Sequence, residues 1–255
     1  MYQPILDKHN LISLNEESHT YTLKDSDTTF SSVTQFISSF FQPFNEHKIA
    51  KKLTTHPKYQ GQSVEDILLD WKERRDRGTI VHKQIEDFIT AMNEEKDITS
   101  IHQTLDLKSR QAIHFLKEFY FEKTEKKKDY LIFPEIKIIS EKLQLAGTID
   151  LLIYNKNKNK ISLVDWKTNK QIKTKENAYR HGMKGTPAEK IYDCNFEKYS
   201  LQLSMYKYIL ENVYNIAVNG LYILHLKETD FKIIPCQCQS NHIIKMLNHT
   251  HTAKN

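Results

Sequence analysis

Apolar positions recur every three or four residues through most of the first half of the chain and every two residues through much of the second. The first interval gives a helix one apolar face; the second does the same for a strand. Two short alternating runs, 11–14 and 20–23, read as a β-like pair around the polar turn Asn15-Glu16-Glu17-Ser18. Ser31 or Ser32 then caps a helix reaching Phe40, and Asn45 caps another reaching Leu53. Ser63, with Asp66 three residues on, resembles a capping box opening a helix to about Arg75. Gly78 is expected to interrupt it. Helix resumes near Thr79 and runs to about Asn93, with Ile80, Ile85, Phe88 and Ile89 on its apolar side. A further long helix is predicted over 106–123.

Alternation then takes over. Stretches 130–140, 143–154 and 160–166 read as strands, and the Asn/Lys run 155–160 suits an exposed hairpin loop. Residues 169–200 show no clear period, contain Gly182, Gly185 and Pro187, and carry seven Lys/Arg against four Asp/Glu. A segment this long without regular structure is a functional lid or a disordered insert. Helix returns over 199–213, strands over 220–226 and 231–236, and a short terminal helix from Asn241. The expected architecture is a single mixed α/β (α+β) domain spanning 1–255. Residues 1–125 are expected to be mainly helical, and a sheet core is expected over 126–240.

Composition narrows the class. Six Gly and six Pro in 255 residues exclude collagen-like and low-complexity chains. A chain of this length buries about 70–75% of its unfolded surface, enough for one sizeable core. No run approaches ~18 apolar residues, so no membrane span is expected. The N-terminus, with Asp7, Glu16 and Glu17 and no early Arg, reads as neither signal nor transit peptide. The expected location is cytoplasmic, in a bacterium or in the host cell of a phage or virus. Cys194, Cys236 and Cys238 fit no disulfide framework and read as reduced thiols. A net charge of +5 permits a polyanionic partner without requiring one.

Candidate chemistry concentrates in Gly147-Thr148-Ile149-Asp150 and Val164-Asp165-Trp166-Lys167. Folding this hairpin about the centre of 155–160 sets Asp150 opposite Asp165, with Cβ atoms about 4.5–5.5 Å apart. Lys167 falls on the face of Asp165, about 6.6 Å further along the strand. Two opposed carboxylates destabilise a hairpin unless a cation joins them, and Mg²⁺ takes one or two carboxylates while leaving positions for water and phosphate. The lysine can orient an attacking water or offset charge growing on a phosphate. The bland alternative is a solvated hairpin face whose charges balance.

Asp150 followed by Asp165-Trp166-Lys167 resembles the pattern of the PD-(D/E)XK nuclease superfamily. Three further matches, in order, point to its RecB-like branch. These are Gly78-Thr79-Ile80-Val81-His82, Lys167-Thr168, and Gln202-Leu203-Ser204-Met205-Tyr206. The β-like pair leading into Ser32-Val33-Thr34 is similar to the opening of phage-type and mitochondrial genome maintenance exonucleases. The resemblance covers roughly residues 19–210. It departs from the usual pattern in having Ile149 rather than Pro before Asp150, and it lacks the four-cysteine cluster of some relatives.

The resemblance implies a restriction-endonuclease-like core, a mixed sheet flanked by helices with the site at one end. It implies His82, Asp150, Asp165 and the Trp166 main-chain carbonyl as ligands of one or two Mg²⁺ or Mn²⁺ ions, the imidazole making Mn²⁺ as plausible as Mg²⁺. Asp150, Asp165 and Lys167 are the expected catalytic set. Gln202, Tyr206 and Thr168 are expected to contact substrate, with Gln202 and Tyr206 also supporting Lys167. Glu86 is either an acceptor that orients His82 or a solvated carboxylate. Glu135, in the preceding strand, is either an extra ligand or an edge charge. Arg74, Arg75 and Arg77, and Lys126, Lys127 and Lys128, are basic clusters that matter only beside a phosphodiester. The implied activity is metal-dependent DNA hydrolysis, first as a single-strand exonuclease. The alternatives are a flap or structure-specific endonuclease, or a non-catalytic nucleic-acid-binding module.

Overall fold

In the computed structural model, which describes residues 2–252 apart from 16, 17, 19, 25, 27, 99, 100, 102, 103 and 122–128, one mixed sheet is flanked by helices. Glu16, Glu17, the end of the helix expected to reach Lys123, and the Lys126–Lys127–Lys128 cluster lie outside the described residues. The chain runs α1 (Gln3–His9), β1 (Ile12–Asn15), β2 (Thr20–Leu23), β3 (Thr29–Ser32), α2 (Val33–Ser38), α3 (Glu46–Leu53) and α4 (Val64–Asn93). It continues with α5 (Leu107–Leu116), β4 (Tyr130–Ser140), β5 (Leu145–Asn155), β6 (Lys160–Lys167), α6 (Asn195–Asn212), β7 (Val218–Leu226), β8 (Phe231–Pro235) and α7 (Ser240–Thr252).

The caps form as their side chains dictate. Ser32 accepts from Gln35 N–H, Asn45 from Lys48 N–H, and Ser63 from Asp66 N–H, satisfying first-turn donors that have no partner inside the helix. Gly78 does not interrupt α4, which is continuous over 30 residues. A glycine costs a helix about 1 kcal/mol relative to alanine. Here it lets the helix approach the chain beyond β6, where a Cβ would sit 3.2 Å from Thr168 Oγ1. The expected β-like pair forms as β1 and β2, and β3, which the periodicity does not mark, joins them in an antiparallel meander. Four-residue strands carry little period, and their pairing is decided by the sheet they join. Regular α5 ends at Leu116 and gives way to a π turn over Lys117–Phe121. The aperiodic segment is packed: Ile172, Ala188 and Ile191 are buried in the main core, and α6 begins at Asn195, earlier than its periodicity marks.

The strand order is β1-β2-β3-β5-β6-β7-β8, with β4 on the remaining edge of β5. β4 pairs along the full length of β5. The opposite edge of β5 is therefore shared, β3 pairing in parallel at Leu145 and Ala146 and β6 pairing antiparallel at 151–155. Residues 147–150 have no strand on that edge. β6 leaves β5 after Val164 and continues beside β7, in parallel, to Lys167. The sheet thus forks at Gly147-Thr148-Ile149-Asp150.

Each face of the sheet carries a core. Ile138, Leu163 and Ile223 pack with Leu201 and Ile209 of α6 and Ile243 of α7. Val164, Trp166 and Leu224 pack with Val81 and Ile85 of α4 and Phe115 of α5. Strict alternation fails at one place in β4 and β5. Ile136 and Ile149 join the α6 side, whereas Ile132 and Leu151 join the α4 side. The slip falls at Glu135 and Asp150, where Glu135 takes a left-handed φ of 47°. Such a conformation in a non-glycine residue costs on the order of 1–3 kcal/mol and survives only where the surroundings impose it.

Gly147 meets the Tyr206 ring across the fork; a Cβ there would lie 2.4 Å from Tyr206 Cε1. Gly147→Ala should destabilise the protein by roughly 1–3 kcal/mol through overpacking. In the Gly147→Ala/Tyr206→Leu double variant the loss should be smaller than the sum of the two singles. Additive losses in denaturant midpoints would show that the ring is not the obstacle.

Candidate active site

Four elements deliver side chains to the fork. α4 brings His82, β4 brings Glu135, β5 brings Asp150, and β6 brings Asp165 and Lys167, while α6 closes the site with Tyr199, Gln202 and Tyr206. His82 Nδ1 lies 3.4 Å from Glu135 Oε1 and 3.7 Å from Asp150 Oδ2. One donor atom from each of these three residues falls within 4.8 Å of the others. Asp150 Oδ2 also accepts from Trp166 N–H at 2.8 Å. The carboxylate thereby takes a main-chain donor at the point where the β5–β6 ladder stops. The register expected from the hairpin holds over 151–155 and 160–164, but Asp150 does not pair with Asp165 in the ladder; it bonds instead to the N–H of Trp166, the next residue.

Asp165 is 2% exposed. Its Oδ2 lies 2.6 Å from Lys167 Nζ, and its Oδ1 accepts from Gln202 Nε2 at 3.4 Å. Gln202 Nε2 also donates to Tyr206 Oη at 3.1 Å. Lys167 Nζ sits 4.6 Å from the centroid of the Tyr199 ring, a cation–π contact. Tyr199 Oη donates to Asn169 Oδ1 at 3.0 Å, and the buried His225 holds the Asn169 carbonyl through Nε2 at 2.6 Å.

Burial and charge act against each other here. Burial pushes the Asp165 carboxyl up to about 6, with Lys167 pulling it down and Asp150 pushing it further up. Burial likewise raises Asp150, against the pull of His82. Burial disfavours the charged forms of His82 and Lys167, but the surrounding carboxylates outweigh it. Asp150 and Glu135 hold His82 up at about 9, and Asp165 and Asp150 hold Lys167 above the ordinary lysine range. Lys167 is therefore a cation at neutral pH, able to stabilise negative charge and not to accept a proton.

Two buried carboxylate oxygens, Glu135 Oε1 and Asp165 Oδ2, face among the described residues only the cations His82 and Lys167, at 3.4 and 2.6 Å. Each oxygen is met by one cationic side chain, and a carboxylate oxygen keeps a second lone pair for a further ligand. Two carboxylates and one imidazole in the His82–Glu135–Asp150 group form a mainly oxygen donor set. Such a set fits a divalent cation of the Mg²⁺ or Mn²⁺ kind.

The other expected residues are placed as follows. Asp165 stands outside the three-residue donor group, paired with Lys167. Glu86 Oε2 accepts from Lys83 Nζ at 2.9 Å, and no hydrogen bond or ion pair among the described residues joins Glu86 to His82. Glu135 fills that place instead. Tyr206 is 3% exposed and its hydroxyl is engaged by Gln202. Lys167 is held by Tyr199 and Asp165 rather than by the expected Gln202 and Tyr206. The Trp166 ring packs in the core against Phe115. Thr168 is half-buried, and its carbonyl accepts from Lys108 Nζ. Arg74 is paired with Asp70, Arg75 with Glu46, and Arg77 with Asp106 and Glu228. Sequence reading overlooked Tyr199; its position three residues before Gln202, on the same helix face, was the available signal.

A family model described as the PD-(D/E)XK nuclease superfamily matches residues 58–247, a span that contains every side chain of the fork named above. No curated protein matches the chain.

The His82 charge has a consequence for stability. Its folded pKa of about 9 lies above the ordinary 6.5. The stabilisation is therefore complete below pH 6.5 and is lost as pH climbs to about 9. In EDTA, the stability gap between wild type and His82→Gln should narrow across that window by roughly 1–3 kcal/mol. A gap independent of pH, measured by urea midpoints, would show that the imidazole is not held charged between its carboxylates.

Proposed function

The chain belongs to the PD-(D/E)XK nuclease superfamily, and from that premise we propose that it is a divalent-cation-dependent deoxyribonuclease acting on single-stranded DNA from an end. The observation that carries this reading is the coexistence, in one fork, of a cation-ready His82–Glu135–Asp150 group and a buried Asp165–Lys167 pair. In this reading His82, Glu135, Asp150 and Asp165, with the Trp166 carbonyl, hold one or two Mg²⁺ or Mn²⁺ ions. When bound, such an ion supplies Lewis-acid activation of water and of the scissile phosphate.

The chain's own residues do the rest. Lys167, kept protonated by Asp165 and Asp150, offsets the charge that grows on the phosphate oxygens as water attacks in line. Tyr199 holds the ammonium in place through its ring, and Asn169 holds Tyr199. Gln202 anchors one oxygen of Asp165 and leaves the other to Lys167. Tyr206 supports Gln202 from within the core, a positioning role in place of the expected substrate contact. Thr168 continues the chain beyond Lys167 at the mouth of the fork and is a candidate contact to the substrate backbone. A non-catalytic binding module is disfavoured, since binding alone gives no reason to bury an Asp165–Lys167 pair beside a cation-ready group of two carboxylates and an imidazole.

Preference for unpaired DNA is supported by residues 169–200, where Lys and Arg outnumber Asp and Glu and the Tyr179 ring is 98% exposed. An exposed aromatic ring among cations suits stacking on unpaired bases.

Lys167→Ala should lower turnover by ~10²–10³-fold while retaining the thermal stabilisation produced by Mg²⁺ or Mn²⁺. Asp150→Asn should lose most of that stabilisation and the activity together. End-labelled single- and double-stranded DNA incubated with Mg²⁺, Mn²⁺ or EDTA reads the activity. Equal thermal shifts in wild type and Asp150→Asn would remove Asp150 from the cation site. Closed circular single-stranded DNA should resist cleavage; if it is cut as fast as its linear form, the enzyme is an endonuclease.

A further inference from the structure

Trp71, Arg75, Gly78 and His82 recur at intervals of four, three and four along α4, so they form one stripe on the helix. At ~1.5 Å per residue the stripe runs about 16 Å from His82 to Trp71. Its inner end is the fork, where Gly78 adjoins Thr168 directly after Lys167. At its outer end the Trp71 ring meets Phe44 at a centroid distance of 5.7 Å and a tilt of 46°. Phe44 is 64% exposed, and Trp71 is half-buried.

The surroundings of this aromatic pair are basic. α3 starts two residues after Phe44 and packs against α4. It carries Lys48, Lys51 and Lys52, all exposed, and no ion pair engages any of them among the described residues. Its single acid, Glu46, is taken by Arg75. On the neighbouring turns of α4, Asp70 and Asp76 are taken by Arg74 and Lys72, and Glu65 and Glu73 are left without an ion pair among the described residues. An exposed Phe44 ring against a half-buried Trp71, next to the helix that carries three unpaired lysines and on the helix that leads to the fork, matches a polyanion whose bases are free to stack better than it matches an apolar protein surface.

We infer that the Phe44–Trp71 pair is a stacking site for an unpaired nucleobase of the strand being cut, a few nucleotides from the fork along the α4 stripe. The inference rests on the nuclease reading and adds to it a binding subsite and the path of the strand.

The chain holds two tryptophans, and Trp166 is 1% exposed in the core, so Trp71 is the one a base can reach. Titrating an oligothymidylate into the wild-type protein in EDTA should quench tryptophan fluorescence, and Trp71→Phe should abolish the quench. Phe44→Ala, a surface change that the fold tolerates, should weaken the strand's Kd by roughly tenfold. Binding and cleavage by the wild type with no quench, or with an unchanged Kd in Phe44→Ala, would overturn the stacking site and leave the nuclease reading intact. Unchanged strand binding combined with altered self-association in Phe44→Ala would do the same and assign the pair to a protein contact. Failure of the wild type to bind or cut any strand would overturn the nuclease reading and this inference with it.

Discussion

A strand has only two edges, and β5 must serve three neighbours. β4 takes one edge whole, while β3 and β6 divide the other. The four residues between them, Gly147 to Asp150, cannot pair on that side, and the gap is the site. Asp150 stabilises the opening by accepting the Trp166 N–H, which no longer faces a strand of β5. The same bond ties β5 to β6 where they diverge and fixes the carboxylate that faces His82. Buried backbone donors must find acceptors, so the site's geometry and the sheet's hydrogen-bond accounting are one problem.

That opening also brings together groups from opposite faces of the sheet. His82 arrives with the α4 core, and Asp165 and Lys167 lie under α6. They meet because the alternation of β4 and β5 slips at Glu135 and Asp150. The left-handed backbone at Glu135 is the local cost of the slip, and it turns a strand carboxylate toward the imidazole. Three carboxylates and two cationic side chains then share a largely dehydrated space. Each cation is held charged by its neighbours, while Asp150 and Asp165 are pushed upward by burial, as expected where a site is organised for a ligand the protein alone does not supply.

Two helices turn this chemistry into a defined place. α4 passes the fork without a break because Gly78 admits it against Thr168, so one rigid rod links His82 to the aromatic pair three turns away. α6 supplies the opposing wall through Tyr199, Gln202 and Tyr206, spaced to lie on one side of the helix. Tyr206 fits only because position 147 lacks a side chain. The glycines at 78 and 147 thus serve the same end, letting a bulky element approach the strands that carry the acids.

Local chemistry made much of this legible. Caps at Ser32, Asn45 and Ser63, the strand period of β4 to β8, and the spacing of Asp150, Asp165 and Lys167 depend on neighbours within a few residues or on one hairpin turn. Such features are written into composition and interval, and so was the family. The rest depends on partners distant in sequence. What a glycine at position 78 does inside a continuous helix turns on Thr168, 90 residues away. Whether Glu86 or Glu135 faces His82 turns on a slip in strand alternation that no period encodes. Three-residue spacing could suggest that Tyr199 shares a face with Gln202, but not that its ring carries Lys167. Periodicity reports which face of an element is apolar; only the packed sheet decides which elements meet, because that choice is made by edges, close approaches and buried charges acting together.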